Sequence, residues 1–211
     1  MTITSLPDAR PYRVCDILAD VNQMLRHKEE FTPIEQWCLE QLRAAALNQS
    51  NYQAEVIPYL ISNLFNKNFN TLFVQAVQLE IKSFLLSTAE AKLKKAAIIH
   101  ILPFLCSSSS TATVEMKTEL WNVLKELKER NQFVLTLTGL CSLYDHYFSA
   151  TSTPNLRLDD SFWLILQDGL LSVDPLLRKQ AVYLIKRTVQ LCKNEKVECV
   201  TTYFSCIPAK E

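Results

Sequence analysis

The sequence contains only 2 glycines in 211 residues, where average usage would give about 15. Glycine supplies the positive φ angles and close backbone approaches on which phosphate-binding loops, dinucleotide-binding motifs and tight β-hairpins depend. Gly139 and Gly169 lie far apart, so neither G-x-G-x-x-G nor G-x-x-x-x-G-K-[ST] is present. This shortage argues against a Rossmann domain, a P-loop NTPase, an α/β barrel and hairpin-rich β folds.

An excess of charge of one sign and a long apolar run are also absent. Lys and Arg total 22 and Asp and Glu total 22, so the chain as a whole is not a polyelectrolyte built for nucleic acid, although a local basic face remains open. Hydrophobic residues make up 48% of the chain, which is not the composition of a disordered protein. The longest apolar run, 96–106, is interrupted by His100 and Pro103 and is shorter than the roughly 20 residues of a membrane-spanning helix. We expect a globular protein of one or two domains with no membrane segment.

Cysteine is frequent, but its pattern is not that of a disulfide framework. The number is odd, and several cysteines lie within apolar helical patterns, which indicates reduced, buried thiols. The N-terminal segment has no apolar core typical of a secretory signal. The sequence therefore predicts a cytoplasmic or nuclear protein. The seven positions are Cys15, Cys38, Cys106, Cys141, Cys192, Cys199 and Cys206.

No metal site is predicted, because neither C-x-x-C nor H-x-x-x-H occurs. Cys192, Cys199 and Cys206 are spaced by seven, which on one continuous helix places them about 10 Å apart. Ligands of one zinc ion lie about 2.0–2.3 Å from it. These three thiols therefore cannot share a metal from a single helix.

A catalytic site is not predicted either. His100 and Cys106 lie on one predicted helix but point in different directions, since six residues turn the helix through about 600°. Cys141 and Asp145 can face each other at i, i+4, yet His146 is poorly placed to act as the base that a cysteine nucleophile needs. No G-x-S-x-G, H-E-x-x-H or kinase motif is present. We expect no enzymatic activity and no cofactor.

Helical periodicity and capping patterns cover most of the chain. Thr32, Pro33 and Glu35 predict an N-cap, a proline at the first helical position and an acidic first turn. Residues 87–90 match the capping-box pattern. A Ser- and Thr-rich segment at 149–158 is the best linker candidate, and the last apolar stretch, 197–207, favours helix with strand as the minority alternative. The predicted helices begin near residues 14, 33, 52, 71, 91, 114, 132, 160 and 175. Those that begin near 91 and 132 are predicted to continue to about residues 105 and 148, and either Asp159 or Asp160 is predicted to cap the helix near 160.

Two patterns indicate internal repeats. Residues 56–60, V-I-P-Y-L, resemble residues 101–105, I-L-P-F-L, and their prolines are 45 positions apart, within the period of HEAT and armadillo repeats. We expect each proline to kink a helix. The segment D-P-L-L-R-K-Q-A-V resembles the start of a HEAT second helix: Asp174 caps it, Pro175 occupies its first position, Arg178 is available to an acidic cap of a neighbouring repeat, and Ala181 allows close helix approach.

The sequence thus predicts an all-α, HEAT/armadillo-like α-solenoid of antiparallel helix pairs. A non-repeating helical bundle is the alternative. In domain terms, residues 1–150 form a helical-repeat segment, and residues 151–211 form a further HEAT-like helix pair with a truncated C-terminal end.

Positive charge is concentrated between residues 174 and 196, where six basic residues stand against two acidic ones. Lys179, Lys186 and Lys193 recur every seven residues and therefore share a helix face. Two interpretations remain open: a solvated outer face, or a cationic ridge that follows an RNA backbone. Aromatic residues do not alternate with these charges, so base stacking is not indicated. The candidate RNA-binding residues are Arg178, Lys179, Lys186, Arg187 and Lys193, and a smaller basic cluster is formed by Lys92, Lys94 and Lys95.

Two segments carry a family resemblance. The F-W and Q-x-G-L elements within 159–170, followed by R-K-x-x-x-Y-L-x-K-R at 178–187, resemble the helical-repeat region of the large eukaryotic tRNA guanosine 2′-O-ribose methyltransferases of the TAR RNA-binding protein type. That family adds a knotted methyltransferase domain that binds S-adenosylmethionine, for which this chain has no room. The resemblance implies a fragment or short isoform without catalytic residues that positions tRNA or a protein partner. The alternative is a general protein–protein interaction scaffold with no RNA role.

Overall fold

A computed structural model describes residues 10–26, 31–47, 56–67, 70–107, 111–148 and 155–191. All regular structure in these ranges is helical, and no strand occurs in them, which confirms the predicted all-α class. The chain divides into two compact units, Met1–Met116 and Lys117–Glu211. The linker residues 149–154, the stretch 197–207, Lys193 and the three C-terminal cysteines lie outside the described residues, so the predictions for them, including a boundary near residue 150, stay predictions.

The first unit consists of helices that pack on their second neighbours along the chain. Helix α1 packs mainly on α3, α2 on α4, and α3 on α5, whereas α1 contacts α2 only slightly. Alternate helices therefore share the larger interfaces. The helices are α1 (Arg10–Met24), α2 (Pro33–Ala46), α3 (Ile57–Lys67), α4 (Thr71–Leu86), α5 (Ala91–His100) and α6 (Leu102–Ser107), with α7 (Thr111–Glu129) leading into the second unit.

A buried carboxylate joins three helices of this unit. Glu35 forms the capping box of α2: its backbone N–H donates to Thr32 Oγ1 at 3.2 Å, and its Oε2 accepts from the Thr32 backbone N–H at 3.2 Å. The predicted cap is thereby confirmed. Side chains from outside α2 complete the cluster, since Asn22 Nδ2 donates at 3.2 Å, Asn70 Nδ2 donates at 3.0 Å, and Arg26 forms an ion pair. Glu35 itself is fully buried.

Helix α1 buries its small side chains rather than its large apolar ones. Cys15, Ala19 and Asn22 are 0–1% exposed, while Ile17 is 60% exposed and Val14 53%. Small side chains allow α1 to approach α3 closely, and Asn22 reaches the Glu35 cluster. The apolar spacing correctly predicted a helix here, but the side that packs inward is the other one.

Three local predictions for this unit are wrong. The capping box at 87–90 does not form: Glu90 caps α5 without a side-chain hydrogen bond, and Ser87 instead ends α4. The helix predicted through residue 105 is interrupted at Ile101, so α5 and α6 are separate. Pro58 is the second residue of α3 and begins that helix rather than kinking it, because a first-turn proline has no N–H to leave unsatisfied.

The second unit is built around buried aromatic side chains. The helix predicted over 132–148 is interrupted at Leu143. Asn131, with φ of 60°, turns the chain between α7 and α8, a conformation that asparagine tolerates where many proteins use glycine. The rings of Tyr144, Phe148, Phe162 and Trp163 follow one another at centroid distances of 4.3–5.1 Å. The remaining helices are α8 (Phe133–Ser142), α9 (Tyr144–Tyr147), a 3-10 turn (Leu156–Leu158), α10 (Asp160–Leu171) and α11 (Pro175–Leu191).

Helices α10 and α11 form the main pair of this unit, and α11 also packs on α8. Asp159 Oδ1 accepts from the Ser161 N–H at 2.8 Å and caps α10. Asp174 Oδ1 accepts from the Leu176 N–H at 2.8 Å, with Pro175 as the first residue of α11. The cap predicted at Asp174 is confirmed, and of the two residues predicted for α10 it is Asp159 that forms the cap. The connection between the two helices is only three residues long, which makes them antiparallel neighbours.

Candidate binding face of α11

The outer face of α11 carries the candidate RNA-binding lysines. The inner face is closed, because Leu177, Ala181, Leu184 and Thr188 are 0–7% exposed. Lys179 and Lys186 are exposed on the opposite side, about 10 Å apart along the axis at 1.5 Å per residue. The inner and outer faces are divided as the sequence predicts. Within α11 the four charged residues are all basic: Arg178, Lys179, Lys186 and Arg187.

Lys179 and Lys186 have no hydrogen bond or ion pair within the described part of the chain. Their ammonium groups can therefore contact an anion without breaking a contact to any of the described residues. This is the property that a phosphate-contacting lysine needs.

Arg178 is used within the unit. Its guanidinium Nη1 donates to the backbone carbonyl of Ser172 at 2.6 Å, and Ser172 is the residue that ends α10. A cation at a helix C-terminus satisfies a carbonyl that has no helical partner and complements the helix dipole. The described contact of Arg178 is thus with the preceding helix and not with an acidic cap.

Arg187 is held more firmly. One Nη donates to Asp145 Oδ1 at 2.6 Å and the other to the Tyr183 hydroxyl at 2.8 Å. Its guanidinium carbon also lies 4.5 Å from the ring centroid of Tyr144 and 5.7 Å from that of Tyr183. Burial is the largest single influence on the pKa of Arg187 and lowers it, but the hydrogen bonds and charge interactions with Asp145 and Tyr183 together outweigh burial, so the pKa is raised. Arg187 therefore joins α11 to α9.

Tyr183 is a residue that sequence reasoning overlooked. It lies four residues after Lys179 and three before Lys186, and it is 47% exposed. Along the axis it is about 6 Å from the first lysine and about 4.5 Å from the second. An aromatic ring does therefore alternate with the charges of this face. The helical spacing of K-x-x-x-Y-x-x-K was the signal that could have indicated it.

The smaller basic cluster is not one surface. Lys92 and Lys95 are exposed, but Lys94 is 1% exposed and its Nζ donates to the backbone carbonyl of Ser87 at 2.6 Å. Ser87 ends α4, so Lys94 caps that helix from the next one. Its charge is thereby removed from the surface on which the sequence would place it.

The contact of Lys94 in the first unit matches that of Arg178 in the second. Each cation donates at 2.6 Å to the carbonyl of the serine that ends the preceding helix. Aligning Lys94 with Arg178 also aligns the buried Leu93 and Ala97 with the buried Leu177 and Ala181. The shared pattern is an acidic cap, leucine, a cation, lysine and alanine, in E-A-K-L-K-K-A-A and D-P-L-L-R-K-Q-A. The turn before Glu90 is one residue longer than the turn before Asp174, so the match is not apparent when the two sequences are aligned from their serines.

The residues considered for catalysis do not form a reactive site. Cys141 lies on α8 and Asp145 lies on α9, where it forms an ion pair with Arg187. Burial raises the pKa of the Cys141 thiol to about 11, against a smaller lowering by Arg187, so the nucleophilic thiolate is scarce at neutral pH. His100 and Cys106 lie on separate helices, α5 and α6.

His100 packs edge-to-face on Tyr59 with ring centroids 5.6 Å apart. Burial lowers its pKa, which favours the neutral ring. It is therefore a packed histidine. Among the described residues, no group of three or more His, Cys, Asp or Glu side chains is placed to hold a metal ion.

Comparison of the chain with protein-family models, curated proteins and solved structures gives no match. None of the helices in the described ranges combines the length and the apolar character needed to cross a membrane.

Proposed function

We propose that this chain is a non-catalytic α-helical repeat scaffold that binds RNA through the outer face of α11. The observation that carries the proposal is the pair of exposed lysines, Lys179 and Lys186, which have no internal partner among the described residues on a helix without acidic residues. Arg178 and Arg187 hold α11 against its neighbours and present these lysines on a fixed surface. The bound phosphates would lie along α11.

Two observations support a HEAT/armadillo-like solenoid as the architecture of this scaffold. The helices of the first unit pack on their second neighbours, as helices in stacked hairpins do. The hairpins α4–α5 and α10–α11 share the same capping contact, from Lys94 and from Arg178. Repetition of one contact at equivalent positions is the expected product of repeated helix pairs.

The resemblance to the tRNA 2′-O-ribose methyltransferases makes tRNA the first RNA to test. The segments that carry it include Tyr183 and Lys186 on the exposed face, and Phe162 and Trp163 in the core of the second unit. In this proposal the chain supplies the tRNA-positioning part of such an enzyme and no catalytic group.

The decisive experiment measures tRNA binding by the full chain as a function of salt concentration. Lys179→Glu combined with Lys186→Glu should weaken binding and reduce the slope of log K against log [salt] by about 1–2, since each phosphate contact contributes about 0.7–0.9. Lys92→Glu combined with Lys95→Glu is the matched control, because it makes the same change of charge at exposed positions of α5. Equal binding by both double variants would refute the assignment to α11.

A methyl-transfer assay tests the absence of catalysis. The chain with tRNA and labelled S-adenosylmethionine should transfer no label above background. Turnover that follows the protein through purification would overturn the non-catalytic part of the proposal and leave RNA binding to be judged by the salt experiment.

A protein partner is the second candidate, because apolar side chains flank the same lysines. Leu176 is 47% exposed and Val182 37% exposed. A protein bound there should be lost on Val182→Asp and should resist nuclease treatment. If nuclease treatment removes the partner, the α11 face is assigned to RNA binding and not to a protein.

A further inference from the structure

We infer that the α11 face binds single-stranded RNA, with one unpaired base stacked on the ring of Tyr183 and the flanking phosphates on Lys179 and Lys186. This inference rests on the proposed function and specifies its ligand. Proteins that bind single strands combine cations along the backbone with an aromatic ring that stacks a base. The exposed face of α11 has both elements within about 10 Å of helix.

The ring of Tyr183 is held in place. Its hydroxyl accepts a hydrogen bond from Arg187 at 2.8 Å, and Arg187 is anchored in turn by Asp145 at 2.6 Å and by the ring of Tyr144. Nearly half of Tyr183 nevertheless stays exposed. A ring already held in one position loses little conformational freedom when a base stacks on it, which favours binding.

The order of the side chains along α11 fits one strand. Lys179 precedes Tyr183 by one turn, and Lys186 follows it by slightly less than one turn. A strand running along the helix would therefore meet a cation, a ring and a cation in succession. In a duplex the faces of the bases are stacked on one another, so no base face is available to stack on Tyr183.

The test compares binding of labelled oligouridine with binding of its duplex with oligoadenosine, using the full chain. The native chain should prefer the single strand. Tyr183→Leu, which keeps an apolar side chain but removes the ring, should weaken single-strand binding about tenfold, equivalent to about 1.4 kcal/mol of lost stacking. Duplex binding should not change.

Two further variants separate stacking from other effects. Tyr183→Phe keeps the ring but loses the hydrogen bond from Arg187, so it should weaken single-strand binding by less than Tyr183→Leu does. Val182→Ala truncates the neighbouring exposed apolar side chain and should have no effect. Thermal unfolding of each variant checks that α11 remains folded, and the preference of the native chain for single strand over duplex keeps the inference testable if Tyr183→Leu unfolds.

Each outcome has a defined meaning. Equal binding of single strand and duplex, together with no effect of Tyr183→Leu, would overturn the inference while the lysine-dependent RNA binding of the proposed function stands. Loss of binding on Val182→Ala equal to that on Tyr183→Leu would show apolar docking instead of stacking. If the native chain binds neither RNA but binds a synthetic acidic amphipathic peptide, the face is a protein-binding surface, and both the inference and the proposed function are wrong.

Discussion

Gly169 of α10 packs directly on Ala181 of α11. A Cβ added to Gly169 would lie 2.8 Å from the Cβ of Ala181 and 3.3 Å from Leu137 Cδ1. Real side chains do not approach each other so closely, so this helix pair depends on the absence of a side chain at residue 169. One of the two glycines in the chain is thus explained by helix packing, as the other is by the overlap that a Cβ on Gly139 would make with Leu124.

Gly169→Ala should lower the free energy of unfolding of the second unit by about 1–3 kcal/mol, the usual cost of overpacking. This loss should exceed the gain of up to about 1 kcal/mol that alanine brings to a helix interior. Adding Ala181→Gly should recover part of the loss by removing the opposing methyl group. Urea unfolding followed by the tryptophan fluorescence of the chain measures both, and a stabilised single variant would contradict the packing account.

Glu35→Gln should destabilise the first unit by about 3 kcal/mol. The substitution removes the charge that pairs with Arg26 and turns an amide group toward the donors Asn22 and Asn70, and breaking a buried pair from one side is costly. Glu40→Gln, at an exposed position of the same helix, is the control and should change stability by less than about 0.5 kcal/mol. Similar losses in both variants would show that the cluster has no special role.

Lys94→Met should cost more stability than Arg178→Met, although the two cations make equivalent contacts. Lys94 is buried, so its loss leaves the Ser87 carbonyl without its donor at a cost of about 1–3 kcal/mol. Arg178 is exposed, water can replace it at Ser172, and the cost should be below about 1 kcal/mol. Chemical unfolding of each variant decides the order, and the reverse order would refute the role of burial.

Stability of the first unit should decrease as the pH falls below about 6.5, the ordinary pKa of histidine. Burial lowers the pKa of His100 in the folded chain, so protons bind more readily to the unfolded chain in the interval between the lowered value and 6.5. The stabilisation that comes from the lowered pKa of His100 is fully present above pH 6.5 and is lost as the pH falls below it. His100→Gln cannot titrate and should flatten this part of the curve in unfolding measured from pH 7 to pH 5; an unchanged slope would assign it to other groups.

Short-range patterns allowed much of the local structure to be predicted. The caps at Thr32 and Asp174 were recognisable, and that of α10 was narrowed to Asp159 or Asp160, because an N-cap bonds to backbone groups two or three residues away. Pro33 and Pro175 marked first helical positions for the same local reason. The division of α11 into an apolar and a basic face followed from its period. An interaction within one helical turn involves residues that are close in the sequence, so it can be predicted from the sequence pattern.

Interactions over longer distances were not predictable in this way. The period of α1 indicated a helix, but the side that packs inward depends on α3 and on the Glu35 cluster. Lys94 and Lys95 are adjacent in sequence, yet Lys94 is buried and caps the end of α4, whereas Lys95 is exposed. Leu143 interrupts a helix that periodicity predicts to be continuous, which places Cys141 and Asp145 on different helices.

The sequence by itself determined that the described part of this chain is helical, because glycine is scarce and because caps and apolar periods recur along it. Only the tertiary structure decided which charges are available to a ligand. Arg187 is committed to Asp145 and Arg178 to Ser172, whereas Lys179 and Lys186 remain exposed beside Tyr183. The physical reason is that a cation's availability depends on which acceptors neighbouring helices bring within reach, and the order of residues along one helix does not contain that information.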